Sequence, residues 1–579
     1  MDPRSAAHVL SLIAAHLELR GESPFKVRAY EGAAKAVIAL ETDDLAALDH
    51  AGTLAETRGI GPATLAVIRD LNATGESSYL EQLRAETPPG LLDLMQVPGL
   101  GTSRIHQLHA ALGIDSVDAM ETAARDGRLR ALKGFGPKTV DRLIHAVERF
   151  RASGTRDLYP RMLASATSLL AMVRSHPDVV RAELAGSLRR HCETARDVDV
   201  VAACVADPVA VASSLSRAPG VRQVTNEGTA SPCITLTDGA RLDLHCVSAE
   251  DFVVALWRAT GSDQHVRSVS TMLAAHGITL EGNHLLDASG RRLEAANEAA
   301  FYALAGLPYV APEMRESGRE LQLAARGRMP TLIEPSDIRG VLHCHSEYSD
   351  GRASIAVMAD GARARGWSYL GITDHSASAF YAGGVSRERI LAQHAEIDAL
   401  NAAATDGFLI LKGIEADILA DGTLDYDGET LDRFDFVVGS IHSRFSMDQS
   451  TMTARVLRAL DDPHLTILGH PTGRLLLSRD PYPLDLEAVI DKAGYVGVAL
   501  ELNADPKRLD LDWRLIPRAI ERGVTIAIGP DAHSVASLDY TTIGVGMARK
   551  AGVAAQDILN ARSVDDVLAF SRARREALR

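Results

Sequence analysis

Cysteine is scarce in this chain: five in 579 residues, no two of them spaced Cys-x-x-Cys. A disulfide scaffold and a thiolate-based zinc module are thereby excluded. No apolar run is long enough to span a bilayer, and the start, "MDPRSAAHVL", lacks the basic region and apolar core of a secretory leader. A cytoplasmic protein with no membrane partner is expected. Positive charge is in deficit, the formal net charge being −15, which argues against a broad electrostatic grip on nucleic acid. Low-complexity sequence is absent as well. Against these absences stand 46% hydrophobic and 24% charged residues, ordinary for a folded chain long enough to need several cores.

To about residue 155 the sequence reads as short amphipathic helices broken by Gly-rich turns. Three stretches share one pattern: "RGIGPATLAVI" (58–68), "VPGLGTSRIHQL" (97–108) and "LKGFGPKTVDRL" (132–143). Each places glycine, an apolar residue and glycine before an amphipathic helix. The pairs Gly59 and Gly61, Gly99 and Gly101, and Gly134 and Gly136 let the turn adopt positive φ and bring amides close to a ligand. The helix start that follows adds its positive end, which suits a phosphate. A single turn of this kind is more often a plain helix connection. Three copies point to DNA, held by its backbone without reading bases and with few Lys or Arg. "LELRGESPFKVRAYEGAA" (17–34), with the first hairpin, resembles the N-terminal domain of family X DNA polymerases, the repair polymerases related to polymerase beta. Members with a 5′-deoxyribose phosphate lyase carry a Schiff-base lysine on the following helix. Val67 stands at that position here, and no lysine lies in "PATLAVIRDLNATGE". That chemistry needs an amine, so no such lyase is expected.

Residues 156 to about 310 mix helix with strand. In "AGSLRRHCETARDVDVV" (185–201), Asp197 and Asp199 are two apart, so on a strand both carboxylates face one side. Such a pair can hold two Mg²⁺ or Mn²⁺ ions for in-line phosphoryl displacement. Asp243 in "RLDLHCV" offers a third carboxylate. Gly186 and Ser187 open a helix whose amides can meet a triphosphate, with Arg190 to pair with its charge. Gly-Ser-x-Arg-Arg followed by Asp-x-Asp is similar to the family X palm. The resemblance implies that Asp197, Asp199 and Asp243 bind the catalytic metals and that Asp243 helps activate the primer 3′-OH. It also implies that Ser187 and Arg190 hold the incoming dNTP. "LWRATGSDQHVRSVS" (256–270), containing Gly261, matches the family's nucleotide-selecting segment. There the family places an aromatic before Thr-Gly-Ser and an asparagine further on; this chain has Ala259 and Val266. Polymerisation that is weak or tolerant of ribonucleotides is expected.

The proline-bearing segment 307–340 shows no clear period and reads as an interdomain linker. From 341 short apolar strands alternate with helical segments, the pattern of a parallel α/β architecture. Ligand-type residues recur at the carboxyl ends of those strands: His343, His345 and Asp350, then His375, Glu415, His442 and His470, then Asp531 and His533. Parallel barrels assemble sites at that end from separate loops. A lone strand-end histidine is more often structural, but six strand ends in succession form a site. His, Asp and Glu without thiolates suit Zn²⁺, Mn²⁺ or Fe²⁺, and a bridging carboxylate would let two or three ions polarise a phosphate. Phosphoester hydrolysis is the predicted reaction. Cys344, between two ligands, should face the other way and pack, and Arg474 in "HPTGR" is a candidate phosphate clamp.

The ordered set H-x-H, D, H, E, H, H, D-x-H resembles the PHP (polymerase and histidinol phosphatase) domain, in the form fused to bacterial family X polymerases. The resemblance implies a distorted seven-stranded barrel with three ions. One ion would take His343, His345, Glu415 and Asp531; a second Glu415, His442 and His470; a third Asp350, His375 and His533. The fold expected is multidomain: an α-helical helix-hairpin-helix region (1–85), a helical subdomain with two hairpins (86–155) and an α+β nucleotidyltransferase palm (156–250). A nucleotide-selection subdomain (251–312), a linker (313–338) and a C-terminal (β/α)7 PHP barrel (339–579) follow. The function implied is filling of short gaps in base excision repair, with metal-dependent 3′–5′ exonuclease and abasic-site endonuclease activity. Gapped or primer–template DNA and dNTPs would be partners of a monomer in the bacterial nucleoid. A primer end would travel from palm to barrel, so relative movement of the two is expected. The alternatives are a nuclease whose polymerase half only binds DNA, a small-molecule phosphatase of the histidinol-phosphate type, and a repair scaffold.

Overall fold

Small apolar residues at helical spacing organise the N-terminal region. The computed structural model describes residues 3–38, 40, 45–74, 77–88, 90–91, 94, 97, 100–153, 156–236 and 239–577. It divides into two units, Met1–Arg156 with Val209–Asp243, and Asp157–Pro208 with Leu244–Arg579. In the first unit the helix Pro3–Leu19 turns Ala6, Leu10, Ile13, Ala14 and Leu17 onto Val27, Tyr30, Ala34 and Val37 of the helix Pro24–Ile38. These recur every three or four residues, so one stripe of each helix is apolar. A separate core gathers Ile105, Leu108, Met120, Phe135, Val140 and Leu143 from the next helices. The buried apolar residue of each hairpin, Ile60, Leu100 or Phe135, anchors its turn inward, while Gly59, Gly61, Gly101, Gly134 and Gly136 are exposed.

The palm strands are β1 (Val179–Leu184), β2 (Val198–Cys204), β3 (Val221–Thr225), β4 (Cys233–Leu236) and β5 (Arg241–Ser248). In the second unit β1 pairs antiparallel with β2, Leu184 opposite Val200. In the first unit β4 pairs antiparallel with β3 and with the start of β5, Cys233 opposite Asp243. A helical core in the second unit packs Trp257, Val269, Leu273, Phe301, Tyr302 and Leu321.

The segment expected as a linker is instead built into the second unit. It forms a 3-10 turn at Pro312–Met314 and a helix at Arg319–Ala325. Glu320 is buried and accepts from His265 Nδ1 at 2.8 Å, and Arg315, fully buried, pairs with Glu298 at 2.5 Å. Buried polar pairs leave no hydrophobic period, which is why the sequence looked unstructured.

Seven parallel strands follow in sequence order: β6 (Gly340–Val341), β7 (Tyr369–Ile372), β8 (Leu409–Asp417), β9 (Phe436–Ser440), β10 (Leu465–Leu468), β11 (Ala499–Asn503) and β12 (Ile526–Gly529). All but Leu409 and Lys412 are buried, as strands covered on both faces must be. Cys344 bridges to Ala532, joining the segments that leave β6 and β12 and drawing the sheet into a barrel at its carboxyl end. Leu342, Tyr369, Leu411, Phe436 and Ile467 share one apolar cluster. A Cβ on Gly371 or Gly413 would meet the Phe436 ring at 2.6 or 2.5 Å, so both positions require glycine. Cys344 packs among Val341, Ile372 and Ala532, as its alternation with the flanking histidines predicts.

Palm and barrel meet in the second unit through a buried junction. Lys550, on the barrel helix Tyr540–Ala551, donates to Glu316 Oε1 at 2.5 Å and to the Arg190 carbonyl at 2.9 Å. Arg549 beside it donates to Glu313 at 2.7 Å. Where relative movement of palm and barrel is expected, the contact between them in the second unit is buried and ion-paired.

Candidate functional site

The loops leaving six of the seven barrel strands bring the nine expected ligands to one end. Glu415, buried at the end of β8, is the hub. Its Oε1 lies 3.1 Å from His470 Nε2 and 3.4 Å from Nε2 of both His343 and His442. Its Oε2 lies 2.9 Å from His375 Nδ1 and 3.8 Å from His345 Nε2. Asp531 Oδ1 sits 3.2 Å from His345 Nε2 and 3.6 Å from His343 Nε2. Asp350 Oδ1 sits 3.3 Å from His533 Nε2 and 3.6 Å from His375 Nε2. Three groupings close enough for an ion emerge: His343, His345 and Glu415; His375, Glu415 and His442; and His345, Asp350, His375 and His533. His375 thus stands where the second expected grouping had His470. His343 Nε2, His345 Nδ1 and Glu415 Oε2 are buried without a hydrogen-bond partner. Convergent nitrogens and carboxylate oxygens of this kind fit divalent cations.

Behind the ligands stand carboxylates that the sequence reading missed. His343 Nδ1 donates to Glu501 at 2.5 Å, and His442 Nδ1 donates to Asp417 at 2.6 Å. Each bond fixes a tautomer that leaves Nε2 free for a metal. His533 Nδ1 does the same with the Asp531 carbonyl at 2.9 Å. Glu501 also accepts from the His470 amide at 2.7 Å, so one carboxylate orients two ligand positions. The signals were there: Glu501 is an acid inside the apolar strand "VALEL", and Asp417 lies two residues beyond Glu415 on the same face. Asp374 serves the approach loop, accepting from the Ser346 amide at 2.8 Å, Ser349 Oγ at 2.5 Å and Gln393 Nε2 at 2.6 Å. Glu501→Gln should lower metal affinity by roughly 10- to 100-fold, read by metal titration of the stripped protein. An unchanged affinity would reduce Glu501 to packing.

Charge tunes the histidines in opposite directions. Burial alone would depress all of them. His345 falls to about 4 by burial and the neighbouring His375, and His470 to about 3 by burial and Arg508. Against burial, Glu415 and Asp417 lift His442 to about 9, and Asp350 and Asp531 lift His533 to about 9. Metal-free, those two rings keep their protons through neutral pH, whereas a metal takes only the neutral ring. Apparent metal affinity should therefore rise with pH, by about tenfold per unit for each displaced proton, and level off above about 9. Titration calorimetry in buffers of different ionisation enthalpy counts the protons; a flat profile would contradict the assignment.

Arg474 is not the clamp expected. Its guanidinium donates to Asp512 at 2.7 Å, to the Arg508 carbonyl at 2.9 Å and to the Leu509 carbonyl, so every nitrogen is spent on the loop after β11. That loop presents Arg508 instead, with Nε 3.6 Å from Asp531 Oδ2. Partner choice between two loops decides this, and sequence spacing does not record it.

In the palm, Asp197 immediately precedes β2 and Asp199 lies within it, while Gly186 starts the one-turn helix Gly186–Arg189 with φ +57°. A Cβ on Gly186 would lie 1.7 Å from Asp199 Oδ2, so the carboxylate occupies the space a side chain would fill. Ser187 Oγ is buried without a hydrogen-bond partner, as is Asp243 Oδ1 on β5. Arg190 donates to Glu316 at 2.8 Å and to the Thr260 carbonyl at 2.7 Å, and Arg189 pairs with Glu298 at 2.7 Å. Both arginines of the motif thus hold the segment around Gly261, which caps the helix Phe252–Thr260. Ala259 and Val266 pack against apolar neighbours.

In the hairpins Gly59 and Gly134 have φ of +98° and +92°, and Gly61, Gly101 and Gly136 each precede a helix. Around Gly61, Gly101, Gly134 and Gly136 nothing lies within 4 Å of where a Cβ would stand, room for a close backbone approach. Gly99 lies outside the described residues. Val67 is buried in the helical core, a packing position.

Four family models match in agreement with these sites. A helix-hairpin-helix domain matches residues 1–77 and a SAM-like helix-hairpin-helix tandem 91–149. The DNA polymerase beta thumb matches 255–316, and the PHP domain 342–503. The DNA polymerase/3′-5′ exonuclease PolX of Bacillus subtilis (strain 168) is 37% identical over 574 residues, covering 98% of this chain and 99% of that protein. The chain belongs to the family X DNA polymerases that carry a PHP domain. Enzymes of this family depend on metals, which the buried His, Glu and Asp clusters of the barrel accommodate. A probable phosphatase of Shewanella halifaxensis (strain HAW-EB4) is 32% identical over 181 residues, 30% of this chain and 70% of that protein. No described helix is long and apolar enough to cross a membrane.

Proposed function

We propose that this family X enzyme adds deoxynucleotides to a primer end at the palm and removes nucleotides from 3′ ends at the barrel. Gapped or primer–template DNA is its substrate, and abasic-site cleavage belongs to the same barrel chemistry. What carries the reading is the coexistence, in one chain, of a Gly-Ser turn packed on Asp199 and a nine-residue cluster around Glu415.

At the palm, Asp197 and Asp199 would supply carboxylates for Mg²⁺ or Mn²⁺, with Asp243 the third that the family resemblance implies. Ser187 Oγ, buried and unpartnered, is the donor left for a triphosphate oxygen. Arg190 works through its hold on Thr260 and Glu316, keeping the Gly261 segment against the palm. At the barrel, three ions of Zn²⁺, Mn²⁺ or Fe²⁺ would supply phosphate polarisation and a hydroxide near neutral pH. His343, His345, Glu415 and Asp531 would hold one, Glu415, His442 and His470 another, and Asp350, His375 and His533 the third. Hydrolysis adds water across the P–O bond to the terminal nucleotide, releasing it and leaving a shorter strand. The hairpins hold duplex backbone through amides, which explains DNA binding by an acidic chain.

The test is a primer–template assay with Mn²⁺ or Mg²⁺. Asp199→Ala should lose extension alone and His345→Ala degradation alone, each by about 10³-fold. Unchanged extension in the first would reduce the palm to DNA binding. Turnover of histidinol phosphate without DNA hydrolysis would favour the phosphatase reading.

A further inference from the structure

The loop that follows His375 shows two large apolar side chains to solvent beside the barrel centre. Phe380 is 87% exposed and Tyr381 71% exposed, in a single 3-10 turn, Phe380–Ala382. The Tyr381 ring centroid lies 6.1 Å from that of His375 and 6.2 Å from that of His442. It therefore borders the ligands directly.

The loop under them is pinned. The Val385 amide donates to the His375 carbonyl at 2.8 Å, closing the base. The Ser378 amide donates to Asp425 at 2.8 Å and the Ala377 amide to Tyr426 at 3.0 Å. Ala379 and Ala382, flanking the aromatics, are buried. Gly384 passes so close to the Ser376 carbonyl that a Cβ would lie 2.0 Å from it. A loop fixed at this many points, which buries its alanines and shows its aromatics, holds the rings ready for a partner. Adjacent aromatics at a site that cleaves phosphodiesters are what a nucleobase recognises, because every base has a π-face to stack.

We infer that Phe380 and Tyr381 form a stacking platform for the terminal nucleobase of an unpaired 3′ end, placing the last phosphodiester over the barrel centre. This rests on the exonuclease reading and adds to it the two side chains that seat the terminal base.

Two measurements test it on the full-length protein. With EDTA present, a duplex with a single-stranded 3′ tail ending in 2-aminopurine should lose fluorescence on binding the wild type and keep it with the Phe380→Ala/Tyr381→Ala double variant. With metal present, the wild type is compared on tails ending in a normal nucleotide or in an abasic tetrahydrofuran residue. KM should be roughly 10- to 100-fold higher for the abasic end in the wild type, and the double variant should treat the two ends alike. Phe380→Trp/Tyr381→Trp should restore the preference. Equal KM for both ends in the wild type, or a double variant slowed by one common factor with the preference kept, overturns the platform. A wild type that degrades neither tail overturns instead the exonuclease reading beneath it.

Discussion

Glu415→Ala should abolish 3′-end hydrolysis, by about 10³-fold or more, while primer extension stays within about twofold. Glu415 is fully buried and touches five imidazoles, so it is shared by more of the cluster than any histidine. Its carboxyl is held well below the usual range: burial opposes ionisation, but His442, His375 and His343 outweigh it. Removing it takes one fixed negative charge from two of the ion groupings at once and leaves the surrounding imidazoles without their shared carboxylate. The loss should appear twice, as metal content after dialysis and as the rate of mononucleotide release. A variant that keeps full metal content and rate would dissolve the hub assignment.

Gly186→Ala is the second large effect, on the other reaction. The added methyl would overlap Asp199 Oδ2, at 1.7 Å, and the residue's φ of +57° disfavours any side chain. Either the carboxylate or the Gly-Ser turn must shift by about an ångström, and misplacement on that scale costs on the order of 10²-fold in rate. Single-nucleotide insertion should fall by that factor or more, with 3′-end hydrolysis unchanged. Insertion at the wild-type rate would mean that the turn does not position Asp199.

Much of the barrel site was legible because the geometry of a parallel barrel is regular. Strand ends gather at one rim, so an acid or histidine just past each apolar run, from His343 to His533, is brought to the same place. Glu501 and Asp417 escaped because they act on ligands rather than as ligands, and only the fold shows which ring faces which carboxylate. Arg474 missed its expected role for a similar reason: the path of the loop after β11 decides that its guanidinium is spent on carbonyls and Asp512. The 313–338 segment misled because its order comes from buried pairs, Glu320 with His265 and Glu313 with Arg549, which carry no periodic signature. In the palm the Gly-Ser and Asp-x-Asp motifs were plain. The engagement of Arg190 with Glu316 joins residues 126 apart, beyond any local pattern.

The Lys550 junction bears on how one strand end can serve two reactions. Lys550 is almost wholly enclosed, and Glu316 binds both its ammonium and the Arg190 guanidinium. Substituting one partner would leave the other charge enclosed and unpaired, at a cost of about 3–5 kcal/mol. Should Lys550, Glu316 and Arg190 stay paired through the cycle, the travelling falls to the DNA. On the proposed exonuclease reading, a misinserted nucleotide would reach the barrel by unpairing and crossing as a loose strand, so proofreading would be timed by the melting of the primer end. Weakly paired ends would be edited first, and the enzyme would sense an error through the duplex that fails to hold it.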